Sequence, residues 1–201
     1  MPESPLDELL ERLHLLQVEL EEEIDRLLEE KRQAFHYTIE QGKVRFEQGI
    51  KALQKRQKIG SWTYLRTAQL KHVLVAPIIY SVFFPFVLVD IAVTCYQHIC
   101  FRVYGIPRVK RSDYFIIDRH KLAYLNAIEK FNCTYCAYGN GLAEYIREIT
   151  ARTEQYWCPI KHARRSPEPH RFEEKFVDYG DANIYKGKLK ELRKEISELK
   201  E

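Results

Sequence analysis

The sequence predicts an all-α fold, and three observations carry that expectation. Apolar residues recur at three- and four-residue steps from Leu6 to Leu53, the spacing of one helix face. A second run, His72 to Phe101, contains no Lys, Arg or Glu and has Asp90 as its only carboxylate. The polar region that follows again carries helical stripes, at Leu122, Leu125, Ile128 and Phe131 and at Tyr145, Ile146 and Ile149.

Residues 1–60 read as a stalk, one long amphipathic helix from Pro5 to about Lys58. Ser4-Pro5 is a start signal, with Ser4 as cap and Pro5 at the first helical position. Leu9, Leu13, Leu16, Leu20, Ile24, Leu27 and Leu28 form the stripe, continued by Phe35, Ile39, Phe46, Ile50 and Leu53. Such a stripe cannot be buried by its own helix, so it asks for a coiled-coil partner. One candidate is the segment 184–201, a short amphipathic helix with Leu189, Leu192, Ile196 and Leu199 at alternating coil positions. Its basic first half complements the acidic start of the stalk. Homo-oligomerisation through the N-terminal helix is the other route.

Residues 61–107 read as an interfacial and membrane-embedded segment. Trp62, Tyr64, Arg66 and Lys71 resemble the aromatic and basic belt at a lipid surface. The apolar run is long enough for about 20 residues of spanning helix. Pro85 near its middle kinks or breaks a helix, and Asp90 must face protein, water or headgroups. Basic residues crowd both flanks: Lys55, Arg56, Lys58, Arg66 and Lys71 before, Arg102, Arg108, Lys110 and Arg111 after. Positive flanks favour the cytoplasm. A proline-broken re-entrant hairpin keeps both flanks there, so it is preferred over a single span. The location expected is a membrane, with both termini cytoplasmic.

Residues 108–163 read as a small helical module. Asp118 to Asn132 is its first helix, with Asp118 as cap; Asn140-Gly141 is a turn; Leu142 to Tyr156 is its second helix. Cys133-x2-Cys136 and Cys158-x3-His162 match the ligand grammar of a Cys3His zinc site. The short spacer lets two thiolates meet one ion. Iron is the second choice. An uninterrupted helical hairpin gives another set, His120, Cys158 and His162 with Asp118 or Glu129. Glu129, His120 and Asp118 are the acid–base candidates for catalysis. A fully ligated ion leaves no open position for water, which favours a structural ion. Residues 164–183, with Ser166-Pro167-Glu168-Pro169, read as an extended linker.

Composition narrows the partners. The chain has 201 residues, 45% hydrophobic and 30% charged, with a net charge of +3. The basic clusters flank the apolar run, so they point to anionic membrane lipids rather than nucleic acid. No cleavable signal peptide is expected, since Met1 to Asp7 lacks a basic start. Nucleotide-binding, serine-hydrolase and zinc-protease signatures are absent from the sequence. The functional expectation is a membrane-attached, cytoplasm-facing, metal-binding scaffold or partner-binding oligomer. The alternative is a membrane-bound metalloenzyme or iron redox protein acting on a lipid-phase substrate.

Overall fold

The computed structural model describes residues 5–40, 43–47, 49–164 and 166–199. It is mostly helical, as the sequence predicts, and divides into two compact units. The expected Ser4 cap lies outside the described residues.

The first unit holds residues 1–60 and 121–126. Helix α1, Pro5–Ala34, carries the leucine stripe. It does not continue to Lys58. His36 takes a left-handed backbone, φ 54°, and strands β1 (Tyr37–Glu40) and β2 (Lys43–Phe46) pair antiparallel. The register sets Tyr37 opposite Phe46 and Ile39 opposite Val44. Aromatic and β-branched residues facing each other across a pair stabilise a hairpin, and the two rings lie 5.9 Å apart. Helix α2, Ile50–Arg56, follows, and the Ala123 N–H donates to Gln54 Oε1 at 3.1 Å.

The second unit holds residues 61–120 and 127–201. Helix α3 is Ser61–Thr67. Helices α4 (Leu70–Ser81) and α5 (Phe83–Tyr96) are joined by Val82 alone, whose φ −64° and ψ −16° are helical. A π-helical turn, Gln97–Phe101, and the short α6, Arg102–Tyr104, complete one 35-residue apolar helix, Leu70–Tyr104. The re-entrant hairpin is therefore corrected. One residue in helical conformation cannot reverse a chain. Pro85 sits in the first turn of α5, where a missing N–H costs little.

Helix α7, Ala127–Trp157, is also continuous through Asn140-Gly141. It runs parallel to the apolar helix, because contacts advance together along both. Tyr80 meets Phe131 and Asn132, Phe83 meets Tyr138, Tyr96 meets Thr153, and Tyr104 stacks on Tyr156. Parallel neighbours need a crossover. It begins at Gly105, left-handed at φ 70°, the usual helix-ending glycine. From Ile106 the chain turns back as a strap in the groove between the two helices. Ile106, Val109, Phe101, Leu142, Tyr145 and Ile149 form the core there.

Helix α8, Tyr185–Ser197, docks on α7. Leu192 and Ile196 are fully buried, and Gln155 donates its amide to the Leu192 carbonyl at 3.1 Å. Leu192 and Ile196 of the C-terminal stripe are thus spent inside its own unit. The expected linker is packed as well: Phe172, Phe176 and Val177 are buried, and Val177 bridges to Ile160.

Candidate membrane-contact face

Cys133 and Cys136 lie one turn apart on α7, while Cys158 follows its last residue. At 1.5 Å per residue, the 22 residues from Cys136 to Cys158 span about 33 Å. The Cys133, Cys136, Cys158, His162 set therefore does not close within one chain. The alternative set, His120, Cys158 and His162 with Asp118 or Glu129, is not gathered among the described residues either. Asp118 immediately precedes a 3-10 turn, Arg119–Lys121, that holds His120, and the α-helix starts only at Ala127. Among the described residues, no three His, Cys, Asp or Glu side chains gather around a common point. Among the described residues the geometry thus brings neither proposed ligand set together.

What removes the expected turn is close packing. A Cβ on Gly141 would stand 2.7 Å from the Tyr114 carbonyl oxygen and 3.1 Å from the Phe115 Cα, and one on Gly139 would meet the Phe86 ring at 2.9 Å. Both glycines let a neighbour approach α7. The stripe Tyr135, Tyr138, Leu142, Tyr145, Ile149, Arg152 and Tyr156 runs straight through them at alternating steps of three and four.

Polar groups fix the strap between the helices. Arg111 forms a two-pronged ion pair with Asp90, its Nη2 2.7 Å from Oδ2. The Tyr138 hydroxyl donates to the same Oδ2 at 2.8 Å. The guanidinium lies 3.8 Å above the Phe115 ring. The bond to Asp90 holds the Arg111 guanidinium even more firmly protonated. Burial, and then the bond to Asp90, push the Tyr138 phenol up. Two turns on, buried Gln97 accepts from the Val109 N–H at 2.9 Å and donates to the Tyr145 hydroxyl. The π-turn begins at this glutamine, a distortion common where a side chain is re-aimed. Further along, buried Arg152 donates to Glu148 Oε1 at 2.8 Å and to the Pro107 carbonyl at 2.7 Å. Each cluster ties crossover to helix.

These contacts use one side of the apolar helix. The other side is bare: Leu74 is 67% exposed, Phe84 72%, Leu88 68% and Val103 77%. At 100° per residue, Phe84, Leu88, Ile91 and Cys95 line up, and Ile99 and Val103 continue the face. The helix is long and apolar enough to cross a membrane, and none of its most apolar window is buried. At the far end of the face stand exposed His98, Arg102, Arg108 and Lys110. Before the helix stand Arg66 and Trp62, with the guanidinium 4.9 Å above the indole. The sequence places Arg111 in a basic flank and Tyr145 on a packing stripe, but not their pairing with Asp90 and Gln97. Sequence reading misses Tyr138; its signal is the tyrosine spacing on α7, which a turn at Asn140-Gly141 obscures. No family model, curated protein or solved structure matches this chain.

Proposed function

We propose that this protein is a membrane-attached scaffold whose apolar helix lies in the plane of the cytoplasmic leaflet, and that copies assemble through α1. The observation carrying this reading is the one-sided exposure of Leu70–Tyr104. Its inner side is taken by α7 and by a strap bearing Arg108, Lys110 and Arg111. Each bare large side chain forgoes about 1.5–3 kcal/mol in water, and a lipid interface recovers it. A crossing orientation carries the strap and the charges of α7, including Glu129 and Lys130, toward hydrocarbon, at about 2.5–3.5 kcal/mol for each charge at the centre. An in-plane orientation leaves them in the headgroup layer. It also keeps both basic flanks on one side, which is what the charge distribution asks for. The exposed Leu9, Leu13, Leu16, Leu20, Ile24 and Leu27 of α1 support self-assembly.

The test is flotation of the purified protein with phosphatidylcholine vesicles, beside Leu74→Glu/Leu88→Glu. Both positions are exposed, so the variant keeps its fold, checked by circular dichroism. Wild type should float, and the folded variant should lose at least tenfold in bound fraction. Equal flotation of the two would overturn the attachment.

A further inference from the structure

Two hollows adjoin at the C-terminal end of the apolar helix, where the strap doubles back. One, of about 600 Å³, opens among Thr94, Gln97, His98, Arg108 and Lys110. The other, of about 470 Å³, opens among His98, Arg102, Ile106 and Arg108. They share His98, Pro107 and Arg108. No carboxylate of the described residues lines either one. Asp90 is already engaged by Arg111, and among the described residues no ion pair takes up Arg102, Arg108 or Lys110. The His98 ring has its Nδ1 2.7 Å from the Thr94 carbonyl oxygen. Nδ1 therefore carries the proton, and Nε2 is the nitrogen left for the hollow.

Three cations around two adjoining hollows repel each other, and no carboxylate of the described residues lining those hollows offsets that. An anion repays that arrangement. The hollows also lie at the edge of the bare apolar face, next to Ile99 and Val103, which are 65% and 77% exposed. A ligand seated there has its charged end among the cations and an apolar surface beside it. We infer that these hollows receive the phosphate of an anionic phospholipid headgroup, with the acyl chains running along Ile99 and Val103.

This site rests on the in-plane attachment proposed above, and the experiment separates the two. Full-length protein is titrated with vesicles of phosphatidylcholine alone and of phosphatidylcholine with 30 mol% phosphatidylglycerol. The variants are Arg102→Gln/Arg108→Gln/Lys110→Gln and an equal-charge control, Arg164→Gln/Lys186→Gln/Lys190→Gln. Wild type and control should prefer the anionic vesicles. The first variant should lose about 100-fold of that preference, about fivefold per basic residue removed from an anionic surface, while still binding neutral vesicles. Equal losses in both variants would reduce the effect to net charge and overturn the site. Inorganic phosphate at millimolar concentration, against chloride of equal ionic strength, should not release the protein. Release by phosphate would reassign the hollows to a soluble phosphate and overturn the lipid. Failure of wild type to bind either vesicle would overturn the attachment itself, and the headgroup site with it.

Discussion

Gly139 and Gly141 differ in what stands against them, and so in what an added methyl does. Alanine in a helix interior is favoured over glycine by about 1 kcal/mol. At Gly139 the neighbour is the Phe86 ring edge, which can tilt away; at Gly141 it is Tyr114 and Phe115 backbone, which cannot. Gly139→Ala should leave stability within about 0.5 kcal/mol of wild type, whereas Gly141→Ala should lose about 1–3 kcal/mol through overpacking. Denaturant unfolding distinguishes them, and equal effects would refute the packing role. The Asp90–Arg111 pair has a similar asymmetry. The Asp90 side chain is 12% exposed and that of Arg111 44%. Arg111→Ala strands a buried carboxylate, while Asp90→Asn leaves a guanidinium that reaches water. The first should cost about 2 kcal/mol and the second about half that, below the full buried-pair penalty because the guanidinium is solvated. Cys158 is set against catalysis: desolvation, then the Glu154 carboxylate, push its thiol up. Its thiolate is scarce at neutral pH, so alkylation there should be slower than for free cysteine and accelerate as the pH climbs past the usual thiol range. Glu154→Gln should quicken it at pH 7. A faster-than-free wild-type reaction would contradict the placement.

At the scale of the element, continuity decides what chemistry is open to α7. Paired cysteines near Asn140-Gly141 invite a turn that brings Cys158 back to Cys136. The tyrosine and leucine stripe that crosses the dipeptide without a phase break is the stronger signal, because each step buries a side chain while the turn signal rests on two residues. The same competition runs the other way at residues 37–46. There, alternation of Tyr37, Ile39, Val44 and Phe46 makes a hairpin inside what a three-to-four count reads as helix. Helix existence, the apolar segment and the basic flanks were legible from spacing and charge. The crossover, and hence the parallel pairing of α5 with α7, was not, because it depends on contacts between residues far apart in sequence. Spin labels on Cys133 and Cys158, with the other cysteines replaced, should lie about 37 Å apart along α7. A separation near 10 Å would restore the closed metal site. On α1, Leu9, Leu13, Leu16, Leu20, Leu27 and Leu28 are exposed. Leu13→Glu/Leu20→Glu should sediment as a smaller species than wild type, and an unchanged sedimentation coefficient would remove α1 as the assembly element.

For the whole molecule, the in-plane proposal rests on the distribution of charge around Leu70–Tyr104 as well as on its length. At 1.5 Å per residue, 35 residues extend about 52 Å, well beyond the roughly 30 Å of hydrocarbon. The excess length, the ion pair at Asp90 and the basic strap all disfavour crossing. The most direct measurement is immersion depth, from quenching of a fluorophore placed singly at Leu74, Phe84, Ile91 and Val103 by lipids brominated at known acyl positions. The in-plane account predicts one shallow depth for all four. A depth that passes through the bilayer centre and returns toward the opposite surface would contradict it and make the helix a transmembrane span.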